Sequence, residues 1–178
     1  MKIYVIRHGQ TELNVKGLIN GHIPDNLTGA GREQARLASE NLPKSIKHIY
    51  SSSLTRARQT AEIINEVLQV PTTYHDELKE VNFGDLEGTP FLEEHKARHV
   101  NLDYDWGPSG ENFEEVKRRV LKLLTEIHEE NSDGEALIVA HGGIVRLLTF
   151  LQSGDKQGEI SNAALFEFDL DKILDRAK

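Results

Sequence analysis

Two short runs of consecutive apolar residues, each followed in the chain by a helical pattern, restrict the fold more than any other feature. Residues 3–6 and 136–140 contain no charged side chain and include β-branched types, which is typical of strands buried on both faces. Further strands are predicted at 46–50, 72–74 and 164–170. The spacing of apolar residues predicts helices at 28–42, 54–68, 111–130 and 144–151. Strands that alternate with helices predict an α/β fold of three layers, with a mostly parallel central sheet flanked by helices.

Between residues 77 and 110 this pattern breaks into short acidic pieces interrupted by glycine and proline. One short helix fits there, at about 91–100. Long irregular segments in compact domains usually serve a site, so we interpret 83–110 as a lid-like insertion and not as a second domain. Residues 1–178 then form a single domain, because this length is usual for one folding unit.

The composition excludes several classes of function. The chain has 21 basic and 29 acidic residues, a formal net charge of −8, and no cysteine. The lack of cysteine rules out a disulfide scaffold, a thiolate metal site and a cysteine nucleophile. A protein that neutralises the phosphates of a duplex needs a basic face, so no nucleic-acid partner is expected. The apolar runs are too short for a signal peptide or a membrane span, so we expect a cytoplasmic protein without a membrane partner.

Histidine or arginine follows three of the predicted strands. The first strand leads into Arg7 and His8, the second is followed one helical turn later by Arg56, and the strand at 136–140 is followed by His141. The carboxyl ends of parallel strands meet at one edge of a sheet. The guanidinium fork fits phosphate, and helix N-termini at that edge add N–H donors. The sequence therefore predicts a local site for an anion, although the chain as a whole is negatively charged.

A structural interpretation of the same residues must be weighed against this one. A single histidine after a strand is more often structural than catalytic. The glycines that follow His8 and His141 are also common turn residues. Two such His-Gly pairs, each after a buried strand and near arginine, favour the anion site.

Several sequence blocks resemble the histidine phosphatase superfamily, the phosphoglycerate-mutase-like enzymes. The resemblance runs from Lys2 to Arg146 in the family order, and residues 162–170 resemble the family's usual last strand. The blocks are Arg7-His8-Gly9-Gln10-Thr11 with Asn14, Asp25-Asn26-Leu27-Thr28 with Gly31, Gln34 and Ala35, the run 51–61 around Arg56, Leu78-Lys79-Glu80, residues 83–88, Gly110-Glu111 and residues 141–146.

The resemblance implies a catalytic set at these positions. His8 is implied as the nucleophile, which forms a phosphohistidine. Arg7, Arg56 and His141 are implied to hold the phosphoryl oxygens. Glu80 is implied as the general acid and then the base that activates water, a task for which we expect a raised pKa within an apolar segment. No metal ion or other cofactor is implied.

The remaining substrate-binding residues follow from the same resemblance. Asn14 and the backbone near Gln10 and Thr11 are expected to add hydrogen bonds to the phosphoryl group. Gly21 and Gly142 complete the expected binding set, together with Arg7 and Arg56. The partner is expected to be a small phosphorylated substrate, and the chain a monomer or a homodimer.

Four functions are compatible with these residues. A metal-independent phosphomonoesterase that acts on a small metabolite is favoured. A phosphoglycerate mutase is the first alternative, although mutases that resemble this chain carry longer insertions. Short phosphohistidine phosphatases resemble it less, because they lack the block around Glu80. A non-catalytic phosphate-binding scaffold is disfavoured, since every implied catalytic residue is present.

Two further patterns are interpreted as structural. His95 and His99 have the spacing of a zinc pair but lack a third ligand nearby, so a solvated helix face is expected. Arg118 and Arg119 follow Glu114 and Glu115 at a spacing of four, which predicts surface ion pairs.

Overall fold

The computed structural model describes residues 1–131 and 134–178. Its strands form one sheet in the order β3-β2-β4-β1-β5. They are β1 (Lys2–Arg7), β2 (Ile46–Ser52), β3 (Thr72–His75), β4 (Glu135–Ala140) and β5 (Leu165–Asp169). Three of the four strand pairs are parallel, and β5 runs antiparallel to β1. The predicted mostly parallel sheet is confirmed.

Helices cover both faces of this sheet. They are α1 (Glu12–Val15), α2 (Gly29–Ser39), α3 (Thr55–Leu68), α4 (Glu93–Asn101), α5 (Phe113–Glu130), α6 (Gly142–Ser153) and α7 (Leu170–Arg176). Ile3 and Val5 of β1 share one core with α5, α6 and α7, whereas Tyr4 and Ile6 share a second core with α3. Successive strand residues point to opposite faces, so β1 and β4 must be apolar throughout. The predicted three layers are confirmed.

Two predicted helix boundaries differ from the observed ones by two or three residues. The helix predicted to end at residue 42 ends at Ser39, and the helix predicted from residue 144 begins at Gly142. Helices α1 and α7 were not predicted. Thr11 and Asn14 form a capping box at the N-terminus of α1, which has four residues, and Asp169 caps α7, which has seven. Helices of one or two turns are too short to show a periodic pattern of apolar residues.

The sheet order places three loops side by side. Strands β2, β4 and β1 are adjacent and parallel, so their carboxyl ends point to the same edge. The loops after them begin with His8, Ser53 and His141. None of the described helices is long and apolar enough to cross a membrane.

Candidate active site

A cavity of about 720 Å³ opens at this edge of the sheet. Its wall includes Arg7, His8, Arg56, Glu80 and Gly142 from the predicted set. His8 and Arg56 are almost fully buried, at 3% and 1% exposure. With Asn14 and Gly21, seven of the ten predicted site residues surround one space, which is larger than a phosphoryl group.

Hydrogen bonds fix the protonation state of His8. Its Nδ1 lies 2.7 Å from the carbonyl oxygen of Gly9, which can only accept, so Nδ1 carries the proton. Nε2 accepts a hydrogen bond from Nε of Arg56 at 3.2 Å. Burial, followed by the charges of Arg56 and Arg7, holds the pKa of His8 well below its ordinary value. The ring is neutral at pH 7 and presents an unprotonated Nε2.

Backbone carbonyls hold the two predicted arginines in place. Arg56 donates from Nη2 to the carbonyl oxygen of Gly21 at 2.7 Å and from Nη1 to Asn20 Oδ1 at 3.1 Å. Arg7 donates from Nη1 to the carbonyl oxygen of Ile160. Burial lowers the pKa of Arg56 to about 10. Within residues 1–131 and 134–178 neither guanidinium is in a salt bridge, so both charges remain to be matched by an anion.

His141 lies beside His8, with ring centroids 5.2 Å apart. It is fully buried and does not itself belong to the cavity wall, and its Nε2 lies 2.8 Å from Oγ of Ser52. Nδ1 has no hydrogen-bond partner in the described part of the chain. The Ser52 hydroxyl also accepts from the N–H of Leu54; its own proton can be donated to Nε2, which leaves Nδ1–H as a donor for a phosphoryl oxygen.

The environment of Glu80 differs from the expected one. Burial alone would raise its pKa, but the His99 side chain and the N–H groups of Val81 and Gly143 outweigh it, with Arg56 adding a further charge. The pKa of Glu80 therefore lies below its ordinary value, and the expectation of a raised pKa was wrong. The Gly143 N–H, at the N-terminus of α6, lies 3.1 Å from Glu80 Oε2. The helix end that was expected to face phosphate thus binds this carboxylate.

Arg119 was predicted to form a surface ion pair with Glu115, and this was wrong. It lies half-buried under the loop that carries Glu80 and donates to the carbonyl oxygens of Glu77, Lys79 and Glu80 at 2.7–3.1 Å. Its Nε also donates to Oε1 of Glu111 at 2.7 Å. Because all these bonds converge on one side chain, Arg119 fixes the path of the loop and with it the position of Glu80. The sequence carries no signal for these contacts, which join residues 39 to 42 positions apart in the chain.

The other predicted binding residues divide into two groups. Asn14 and Gly21 line the cavity, as does Gly142. Gln10 and Thr11 do not belong to its wall, and their N–H groups donate to Oε1 of Gln34 and Oδ1 of Asn14. The expected hydrogen bonds from that backbone to a phosphoryl group are therefore already used, and Gln10 and Thr11 shape the loop instead.

Two asparagines of the site were missed. Asn162 lines the cavity and donates from Nδ2 to the His8 carbonyl oxygen at 3.2 Å and to Asn14 Oδ1 at 3.0 Å. Asn20 accepts from Arg56. Asparagine in a loop is common, so only the fold distinguishes these two from the rest.

The segment 83–110 contributes one wall of the cavity through Phe83, Phe91 and His99. His99 is only 3% exposed and packs against Phe83 with ring centroids 5.2 Å apart, and His95 packs against Trp106. The prediction of a solvated face for these two histidines was wrong. Among the described residues no three His, Cys, Asp or Glu side chains converge as they would around a metal ion.

Burial of His99 makes stability depend on pH. Burial lowers its pKa to about 4, although Glu80 opposes the shift. Between pH 6.5 and 4 the unfolded chain binds a proton here that the folded chain does not, so the free energy of unfolding decreases as the pH falls below 6.5. The slope is about 1.4 kcal/mol per pH unit for one such group.

We therefore expect His99→Phe to weaken this pH dependence. The ring remains aromatic among Phe83 and Phe91 but no longer titrates. In urea denaturation, the loss of unfolding free energy between pH 7.5 and pH 5 should be about 2 kcal/mol smaller than in the wild type. Between pH 7 and pH 8 the two proteins should change alike, which serves as the control. An unchanged loss at pH 5 would show that His99 is protonated in the folded protein.

Fold and site together define an α/β enzyme in which a buried histidine lies beside two arginines that form no salt bridge among the described residues. The chain belongs to the histidine phosphatase superfamily: the model of that superfamily's branch 1 matches residues 3–172. The resemblance seen in the sequence is confirmed, and relatives named as phosphatases indicate phosphatase activity.

Three similar proteins illustrate this relationship. An uncharacterized phosphatase of Bacillus subtilis (strain 168) is 36% identical over 157 residues, which cover 87% of this chain and 79% of that protein. A solved phosphoglycerate mutase from Thermus thermophilus is 29% identical, with a TM-score of 0.79 and coverage of 95% of this chain and 93% of its own. A mycobacterial glucosyl-3-phosphoglycerate phosphatase is 25% identical, with a TM-score of 0.82 and coverage of 93% and 88%.

Proposed function

We propose that this phosphatase hydrolyses phosphomonoesters of small metabolites through a phosphohistidine on His8, without a metal ion. The observation that carries the proposal is the state of His8: a neutral ring with an unprotonated Nε2, in the wall of a cavity that Arg7 and Arg56 also line. A nucleophile needs that lone pair, and a phosphoryl dianion needs those two charges.

In the first step the dianion lies against Arg7, Arg56 and Nδ1–H of His141. Arg56 gives up its hydrogen bond to His8 and donates to a phosphoryl oxygen instead. Nε2 of His8 attacks phosphorus, so a P–N bond forms while the P–O bond to the alcohol breaks. The departing oxygen takes a proton from Glu80, whose pKa rises when the dianion enters the cavity. The products of this step are the free alcohol and phosphorylated His8.

In the second step water attacks the phosphohistidine. Glu80, now a carboxylate, accepts one proton of the water as a P–O bond forms and the P–N bond breaks. Inorganic phosphate leaves, and His8 returns to its neutral state with Glu80 protonated. The charge on phosphorus is matched in both steps by the same arginines, which backbone carbonyls keep in place.

Phosphoryl transfer of the mutase type is the second candidate. It uses the same phosphohistidine but returns the phosphoryl group to another hydroxyl of the substrate, and the likeness to the Thermus thermophilus mutase favours testing it. Release of inorganic phosphate without an isomerised phosphomonoester supports hydrolysis. The cytoplasmic location, the monomeric or homodimeric state, the single domain and the absence of a nucleic-acid partner stay predictions.

We expect activity to survive removal of divalent metals. Arginine and histidine supply all the positive charge in the proposed steps, so no ion is required. Hydrolysis of p-nitrophenyl phosphate should proceed at the same rate, within about twofold, after dialysis against EDTA. Activity that is lost to EDTA and restored by zinc or magnesium would refute the metal-free mechanism, and no hydrolysis under either condition would favour a binding scaffold.

A further inference from the structure

A turn at residues 20–23 surrounds the guanidinium of Arg56 with oxygen atoms that accept its hydrogen bonds. These oxygens lie 2.7–3.3 Å from the guanidinium nitrogens and belong to Asn20, Gly21 and Ile23. The fourth residue of the turn is His22, which is half-buried and does not belong to the cavity wall. The proposed steps leave this histidine without a role.

The side chain of His22 reaches the loop that carries Glu80. Its Nε2 lies 2.8 Å from the carbonyl oxygen of Glu80, which can only accept, so Nε2 carries a proton and donates it. The backbone N–H of His22 donates to Oε1 of Glu87 at 2.9 Å, and the N–H of Phe83 donates to the same oxygen at 3.1 Å. The turn and the loop are therefore joined at two points, and both involve His22.

The approach of the turn to the loop leaves no space for a side chain at position 21. Gly21 has a φ of +46°, a conformation that favours glycine, and a Cβ atom there would overlap Oε1 of Glu87. The carbonyl oxygen of the same glycine accepts from Arg56 at 2.7 Å. Close packing thus places the group that orients Arg56 directly before the residue that bonds to Glu80.

The bond from His22 controls the carboxylate of Glu80 through one peptide unit. That peptide is planar and trans, so its C=O and its N–H point in opposite directions. Its C=O accepts from His22 and, at 3.1 Å, from Nη2 of Arg119. Its N–H, which belongs to Val81, donates to Oε1 of Glu80 at 2.9 Å. If the peptide turns after losing a donor on its C=O, the bond to the carboxylate is lost as well.

The two donors fix the loop relative to different parts of the molecule. Arg119 belongs to α5 and is paired with Glu111, so it holds the loop against that helix. His22 follows Gly21, which accepts from Arg56, so it holds the loop against the arginine proposed to bind phosphate. Only the second connection sets the distance between the proposed acid and the proposed phosphate site.

We infer that His22 is a positioning residue, which holds the carboxyl group of Glu80 at the distance from Arg56 that protonation of the leaving oxygen requires. This inference rests on the proposed function and concerns its acid step alone. Proton transfer needs the donor within about 3 Å of the acceptor. A displacement of about 1 Å can therefore slow the step about 100-fold, although His22 contacts neither the substrate nor the phosphoryl group.

The test measures phosphorylation of the enzyme in single turnover with two esters. We expect His22→Ala to slow the reaction with ethyl phosphate about 10- to 100-fold, because the alkoxide must be protonated as it departs. The reaction with p-nitrophenyl phosphate should slow by no more than about threefold, since its leaving group needs little help. The Kd for inorganic phosphate, measured by calorimetry, should change by less than about threefold, because Arg7 and Arg56 remain.

Two conservative variants separate the lost hydrogen bond from a general disturbance of the turn. The amide nitrogen of glutamine can occupy the place of Nε2, whereas that of asparagine reaches only the place of Nδ1. We expect His22→Gln to react with ethyl phosphate within about threefold of the wild-type rate and His22→Asn to resemble His22→Ala.

A double variant tests whether His22 acts through Glu80. In the Glu80→Gln background the acid is already absent, so adding His22→Ala should slow ethyl phosphate by at most about a further twofold. His75→Ala is the matched control, because it removes a histidine outside the cavity that bonds to a threonine hydroxyl. It should leave the ratio of the two ester rates unchanged.

Several results would overturn the inference. They are an unchanged ethyl phosphate rate in His22→Ala, equal slowing of both esters, weakened phosphate binding, failure of His22→Gln to restore the rate, and additive losses in the double variant. Hydrolysis of p-nitrophenyl phosphate by the wild type, with an adduct on His8, supports the proposed function whatever the His22 variants show. A wild type that hydrolyses neither ester would refute the proposed function and the inference with it.

Discussion

Alanine in place of His8 is expected to lower kcat for p-nitrophenyl phosphate by about 10⁴- to 10⁶-fold, the usual cost of removing a covalent nucleophile. No other described side chain in the cavity offers a neutral nitrogen lone pair beside both Arg7 and Arg56. The fold should persist, because His8 lies after β1 and belongs to neither apolar core. Steady-state kinetics and circular dichroism measure the two effects.

Two controls make this result specific to the nucleophile. His75→Ala removes a histidine outside the cavity and should leave kcat close to that of the wild type. The His8→Ala variant should still bind inorganic phosphate, because Arg7 and Arg56 remain, and calorimetry measures that binding. A variant with more than a tenth of the wild-type kcat would end the proposed mechanism.

Glutamine in place of Glu80 is expected to slow alkyl phosphates about 10²-fold more than nitrophenyl phosphate in single turnover. An alkoxide must be protonated as it departs, whereas an aryloxide of low pKa leaves with little help. The amide oxygen of glutamine can still accept from the Gly143 N–H, so the position of the side chain is kept. Single turnover is required because the proposed second step, dephosphorylation of His8, also uses Glu80.

Arg56→Ala is the matched comparison for this measurement. It removes a contact with the phosphoryl group common to both substrates and should slow both by a similar factor. Equal slowing by Glu80→Gln would mean that Glu80 is not the acid. Glu93 and Glu159 are then the other carboxylates of the cavity wall to test. Glu87 and Glu111 do not line the cavity, and each already accepts hydrogen bonds, from the N–H of His22 and from Arg119 respectively.

The sheet and the centre of the site could be predicted because local sequence determines them. The runs 3–6 and 136–140 are apolar throughout because helices cover both faces of the sheet. Once those strands are recognised, parallel neighbours bring His8 and His141 together at one edge. The order of the strands was not predicted; the structure shows that β2 pairs with β4, which places Arg56 beside these two histidines.

The surroundings of these residues could not be predicted, because contacts between distant segments create them. The pKa of Glu80 is lowered against its burial by His99 and by N–H groups that include that of Gly143, 63 positions away. The path of its loop depends on Arg119. Arg119 has the same helical spacing to acidic residues as a surface arginine, so its pattern indicated an ion pair. Arg146 likewise has the sequence pattern of an ordinary helix residue, but it donates to the carbonyl oxygens of Gln157 and Gly158, which lie 11 and 12 positions away.

Direct detection of the phosphoryl group on His8 tests the central claim best. Enzyme mixed with p-nitrophenyl phosphate is quenched in alkali, digested with trypsin and analysed by mass spectrometry; Glu80→Gln is included because it slows dephosphorylation. The fragment that ends at Lys16 contains His8 as its one histidine. We predict a phosphoryl group on that residue that is stable in base, lost in acid and absent from His8→Ala. Turnover with no adduct on His8 in either active protein, or an adduct on another residue, would contradict the mechanism.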